Sequence, residues 1–110
     1  MRELKTPVEV DAFLDENPVA ILMFGATWCG PCKAMKPLVE KISAAKQRVP
    51  FAYCDIEEHG HLVADLEIMS VPTLIAMVDG DGTQTVVGSA VDKVQALFDA
   101  CGDMIAMRGV

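Results

Sequence analysis

The chain has 110 residues, the size of one domain, and 52% of them are apolar, enough to fill an interior without disulfide staples. Sixteen acidic residues against nine basic ones leave a net charge of −7, which repels phosphate backbones and argues against nucleic acid as a partner. The longest apolar run, Val19 to Ala26, is far shorter than the ~20 residues that span a bilayer, so no membrane partner is expected.

Met1 to Lys5 carries mixed charge and no apolar core of a signal peptide, which makes a reducing cytoplasm the expected compartment. The four cysteines are then expected to be thiols, redox pairs or ligands rather than a disulfide framework. Arg2 to Lys5 reads as an optional short first strand. Thr6-Pro7-Val8-Glu9 predicts a helix start, with Thr6 as N-cap, Pro7 at the first helical position and Glu9 closing a capping box. Val10, Phe13 and Leu14 share one face of that helix, and Asn17-Pro18 ends it. Val19 to Gly25 is continuously apolar, as a strand covered on both faces must be.

Past Cys32 the period becomes helical, with Met35, Leu38, Val39, Ile42 and Ala45 on one stripe. Pro37 falls inside this helix, removes a backbone donor and is expected to kink it. Phe51 to Asp55 predicts a second strand, Leu62 and Leu66 a short helix, and Thr73 to Val78 a third strand. Asp79 to Gly82 supplies turn residues, after which Thr83 to Val87 returns as a hairpin partner. Ser89 is placed as the cap of a last helix with Val91, Val94, Phe98, Cys101 and Ile105 on one stripe and Gly102 as its weak point. No repeat or linker interrupts the alternation. The expected class is a single layered α/β domain over residues 1–110.

The chemistry concentrates at Trp28-Cys29-Gly30-Pro31-Cys32-Lys33, between a strand end and a helix start. Two cysteines three apart at a helix N-terminus reach each other without rearranging the backbone. Cys29 sits where unpaired N–H groups and the helix dipole favour an anion, which draws its thiol toward a reactive thiolate. Cys32, one turn in, is expected to be more covered, as suits a resolving thiol. Pro31 holds the backbone of the first turn. A bare C-x-x-C is also compatible with a zinc site, but Cys54, Cys101, His59 and His61 offer no second paired spacing.

Over nearly the whole chain the sequence resembles the thioredoxin family. Ala26-Thr27-Trp28-Cys29-Gly30-Pro31-Cys32-Lys33 matches its active-site motif, and Pro37 matches its helix-kinking proline. Val71-Pro72-Thr73 is similar to its cis-proline loop, and Asp79-Gly80 and Gly88 fall at its hairpin turn and groove glycine. The resemblance implies a thioredoxin fold, a mixed sheet of four to five strands flanked by four helices. It also implies a protein-disulfide reductase, in which Cys29 attacks a substrate disulfide and Cys32 resolves the mixed disulfide. Trp28, Val71, Pro72 and Gly88 would form a shallow groove for an extended substrate. The implied partners are disulfide-containing proteins and a reductase that recharges the dithiol with NADPH; no other cofactor, no metal and a monomer are expected. A binding module that merely retains the motif, and a disulfide oxidase or isomerase, are the alternatives.

The sequence departs from that family at two places. Met23 stands where a buried aspartate is usual behind the cysteines, and Tyr53 where a buried lysine is common. Position 25 is Gly, where many members carry a second tryptophan or a small residue. Cys54 and Cys101 read as small buried hydrophobes, and the scattered methionines as core filler. His59 and His61 are expected to be solvated, and Asp55, Glu57 and Glu58 to form a solvated acidic loop.

Overall fold

The apolar run Val19–Gly25 forms a strand, β1, that is buried at every position. It can be so because both of its edges and both of its faces are covered. In the computed structural model, which describes residues 1–109, β2 (Phe51–Asp55) lies parallel on one edge, with Ile21 opposite Phe51 and Gly25 opposite Asp55. On the other edge β3 (Thr73–Val78) runs antiparallel, and β4 (Asp81–Val87) pairs with it to give the order β2-β1-β3-β4. The helices are α1 (Pro7–Glu16), α2 (Gly30–Ala45), α3 (Gly60–Asp65) and α4 (Val91–Met107). The mixed sheet and four helices are those the resemblance implies.

Alternation along β1 splits the interior into two cores. Val19, Ile21 and Met23 face Met35, Val39, Val94 and Phe98 from α2 and α4. Ala20, Leu22 and Phe24 face Val10 and Phe13 of α1, with Leu62 and Leu66 of the α3 segment packed alongside. Burying each large aliphatic or aromatic side chain contributes roughly 1.5–3 kcal/mol.

Several local expectations change in detail. The optional first strand is a single parallel bridge, Glu3 to Tyr53, held by Leu4 N–H donating to Tyr53 O (2.9 Å) and Tyr53 N–H to Arg2 O (2.8 Å). Thr6 caps α1 by accepting from Glu9 N–H, but the Glu9 carboxylate reaches back to Lys5 N–H rather than to the cap residue itself. The hairpin turn shortens to Asp79-Gly80, both at positive φ, because Asp81 already pairs with Val78. Two central residues at positive φ suit the right-handed twist of the strands they join.

Ser89 does not cap α4. Ala90 occupies the cap position without a side-chain hydrogen bond. The buried stripe of α4 is Val94, Leu97, Phe98 and Cys101, while Val91 stays exposed and Ile105 half-buried. On α2, Met35, Val39 and Ile42 are buried; Leu38 and Ala45 are exposed, and the helix continues through Pro37. His59 corrects its expectation: it is buried, because its Nε2 meets the Leu4 carbonyl and ties the N-terminal segment to the start of α3. His61 is exposed, as expected.

Candidate active site

The end of β1 and the start of α2 meet at the top of the sheet. Cys29 is the N-cap residue of α2, and its Sγ accepts from Cys32 N–H at 3.2 Å. That contact satisfies one of the helix's orphan donors and would hold a thiolate in place on reduction. Cys29 and Cys32 are joined as a disulfide, their Cα atoms 5.3 Å apart, within the span a disulfide bridges without moving the backbone. With Ala26, half-buried Ile56 and half-buried Val71 they form a small apolar cluster. Cys29 is 5% exposed and Cys32 1%, so the deeper cysteine is the second, as the spacing predicts.

Gly30, Pro31 and Lys33 lie exposed on the first turn of α2. Trp28 is 65% exposed, and its Nε1–H donates to Glu57 at 3.0 Å. Across from it, the Val71–Pro72 peptide bond is cis, as the resemblance implies, and the Val71 carbonyl oxygen lies 3.8 Å from Cys29 Sγ. Gly88, at positive φ, donates its N–H to Pro72 O at 2.8 Å, which ties the end of β4 to the proline loop. Thr73 Oγ1 braces the same loop by donating to Ser70 O at 2.7 Å. The structure thus gathers Cys29, Cys32 and Val71 into one cluster, with Trp28 beside the loop of Glu57 and Pro72 tied to Gly88.

Sequence reasoning missed two members of this region. Glu57, read there as part of a solvated acidic loop, anchors the Trp28 indole, and Ile56 packs against the cysteines. The signal was present in the topology. A parallel β1/β2 pair puts the residues after Gly25 beside those after Asp55.

Met23 and Tyr53 are direct partners across the β1/β2 ladder and share one core cluster, so the usual charged pair is replaced by two neighbours in contact range. Burial, and after it the charge of Asp55, push the Tyr53 hydroxyl up to about 12, so it stays neutral. Lys36 Nζ sits 3.7 Å from the Tyr53 ring centroid, a cation–π contact. Gly25 leaves room for this ring: a Cβ there would fall 2.5 Å from Tyr53 Oη. Cys54 is buried and its thiol is pushed up to about 12 by burial and then by the Glu58 charge. Burial raises Cys101 as well. Both remain thiols at neutral pH, consistent with the core role expected for them. Among the described residues no group of three or more His, Cys, Asp or Glu side chains could hold a metal ion, and no helix is long and apolar enough to cross a membrane.

A strand-to-helix C-x-x-C disulfide facing a cis-proline loop defines a dithiol–disulfide exchange protein. The thioredoxin family model matches residues 5–100. Thioredoxin-1 of Saccharomyces cerevisiae is 33% identical over 87 residues, covering 79% of this chain and 84% of that one. A thioredoxin of Staphylococcus aureus is 39% identical over 74 residues, covering 66% and 71%. Among solved structures, Plasmodium falciparum thioredoxin superposes with a TM-score of 0.85 at 26% identity, covering 91% of this chain and 98% of that one. Malassezia sympodialis thioredoxin gives 0.84 at 30% identity, covering 93% and 90%. The chain belongs to the thioredoxin family. It is a thiol–disulfide oxidoreductase, and the reaction class is protein-disulfide reduction at the Cys29–Cys32 pair.

Proposed function

We propose that Cys29 is the attacking thiol and Cys32 the resolving one, working on disulfide-containing proteins laid extended against Trp28, Val71, Pro72 and Gly88. The observation that carries this reading is the position of Cys29 Sγ at the N-cap of α2, where it receives the Cys32 N–H. A thiolate on Cys29 gains that bond and the helix dipole, while Cys32 lies one turn deeper. Cys29 attacks the substrate disulfide and expels one thiolate. Cys32 then attacks Cys29 Sγ, restores the Cys29–Cys32 bond and releases the second substrate sulfur. Gly30 and Pro31 keep the first turn tight, and Lys33 adds a cation beside the site. In this reading the Val71 backbone next to Pro72, whose carbonyl oxygen lies 3.8 Å from Cys29 Sγ, pairs with an extended substrate segment.

The same reading makes the chain a monomeric single domain of the reducing cytoplasm, recharged by a reductase and contributing to electron transport and redox homeostasis. It needs no cofactor beyond the cysteine pair. The deciding experiment is the reduction potential of Cys29–Cys32 together with insulin precipitation by dithiothreitol. A potential near about −270 mV with accelerated turbidity supports a reductase. A value near about −120 mV indicates an oxidase instead. Absence of acceleration indicates a binding module.

A further inference from the structure

Cys32 has to lose its proton before it can attack, and its surroundings restrict where that proton goes. Its apolar neighbours Ala26, Ile56 and Val71 accept nothing. Toward the sheet, β1 presents Met23, fully buried against Met35 and Val39. On its remaining side Cys32 forms part of the wall of a polar pocket of about 540 Å³. Since a water occupies about 30 Å³ of liquid, this pocket has room for several waters among the groups of its wall.

The titratable groups of the pocket wall come from the N-terminal segment, α2, β2 and the loop after β2. Lys5, Lys33 and Lys36 are cations and take no proton. Tyr53 stays neutral. Glu3 lies 3.9 Å from Lys36 Nζ, and Glu57 is engaged by the Trp28 indole. Glu58 is exposed on the loop. Asp55 differs from all of these. It is half-buried at the end of β2, opposite Gly25 in the ladder, and therefore lies at the level of the strand end that leads to the cysteines. Its Oδ1 accepts Glu57 N–H at 2.8 Å, and its Oδ2 has no hydrogen-bond partner among the described residues.

We propose that Asp55 accepts the Cys32 proton, through pocket water, in the step that releases reduced substrate. The inference rests on the roles of Cys29 and Cys32 given above. The proton leaves Cys32 Sγ through the pocket water to Asp55 Oδ2, and the Cys32 thiolate attacks Cys29 Sγ of the mixed disulfide. The Cys29–Cys32 bond forms as the Cys29–substrate bond breaks. The electron pair departs on the substrate sulfur, which takes a proton from solvent, and Asp55 returns its own to the pocket water.

Single-turnover mixing of the reduced protein with a fluorescent peptide disulfide separates the first attack from release of the second thiol. Asp55→Asn keeps the acceptor for Glu57 N–H but cannot take a proton. It is expected to slow release by roughly 10²-fold at neutral pH, the lower range for general acid–base catalysis. The residual rate should climb with hydroxide, while the first phase and the melting temperature stay unchanged. Asp55→Glu keeps the carboxylate and should restore most of the release rate, which guards against a merely structural effect of the Asn variant. Unchanged release in Asp55→Asn overturns the proposal. So does equal slowing by Glu58→Gln, which would assign the effect to the summed charge of the pocket. An active wild type with an unaffected Asn variant defeats this inference alone, whereas a wild type without thiol release overturns the assigned cysteine roles with it.

Discussion

Cys29 and Cys32 lie at the cap and first turn of α2, whereas Cys54 and Cys101 lie within β2 and α4. At the first pair, Cys29 Sγ accepts an otherwise unpaired N–H of the helix start, beside an exposed rim that carries Trp28, Gly30 and Pro31. The second two are buried in cores on opposite faces of the sheet, Cys54 with Phe24 and Ala52, Cys101 with Val94 and Phe98. A thiol that loses its proton in the first environment gains a donor. In the second it loses hydration and gains nothing, so it keeps the proton. One residue type therefore serves as nucleophile or as packing according to where the backbone ends are, and the intervening sheet keeps Cys54 and Cys101 from pairing with each other.

The largest expected effect breaks this contrast directly. Cys29→Ser should abolish insulin reduction even though Cys54 and Cys101 remain, and Cys32→Ser should leave a mixed disulfide that mass spectrometry finds on Cys29. Turnover surviving in Cys29→Ser would mean that a core thiol can substitute, and the contrast would fail.

The next effect tests how far the core tolerates charge behind the active site. Met23→Asp places a carboxylate at a fully buried position whose ladder partner, Tyr53, supplies no cation. A loss of several kcal/mol, on the order of 3, is expected from thermal melts, because an unpaired buried charge is costly. The same charge should raise the pH at which the Cys29 thiolate forms, read by absorbance near the thiolate band. Unchanged melts and an unchanged titration would show that residue 23 is not electrically coupled to the cysteines.

Alkaline titration sharpens the comparison further. Cys54 moves from 9.0 to about 12 in the folded protein, and Tyr53 from 10.0 to about 12. Between those values the unfolded chain has already released the protons that the folded chain still holds. Stability present below pH ~9 is therefore lost as pH rises toward about 12. Urea melts from pH 8 upward, an experimental range set around ~9, should show the fall, and Cys54→Ala should flatten its first part. An identical pH profile in that variant would remove Cys54 from the account.

The smallest effect concerns Cys101. Cys101→Ala removes one buried sulfur beside Val94 and Phe98 and should cost about 1 kcal/mol, with insulin reduction unchanged. A larger loss of activity than of stability would point to a redox role for the core thiol.

Local features were legible in the sequence because they depend on residues within one or two turns of each other. The cap and proline at Thr6-Pro7, the unbroken apolar run of β1, the α2 stripe and the placement of Cys29 at a helix start all belong to this kind. So did the turn at Asp79-Gly80, although its length was overestimated, because only the strand register shows that Asp81 already pairs with Val78. On α4 the buried stripe takes in Leu97, which the expected spacing leaves out, and excludes Val91. Helical periodicity gives the face of a helix, while the neighbouring strand decides how wide that face is.

By itself the sequence determined the element order, the family and the place of the cysteine pair at a helix start, since these follow from spacing, turn chemistry and a motif that spans eight consecutive residues. Only the tertiary structure decided that His59 is inside, that Glu57 holds Trp28, and that Asp55 stands on the wall of the pocket behind Cys32. Each of those contacts joins residues some 20 to 55 positions apart through the parallel crossover from β1 to β2 or the bridge of Glu3 to Tyr53. No local preference encodes such a meeting. It follows from packing helices on both faces of one twisted sheet, which brings distant strand ends to a single edge.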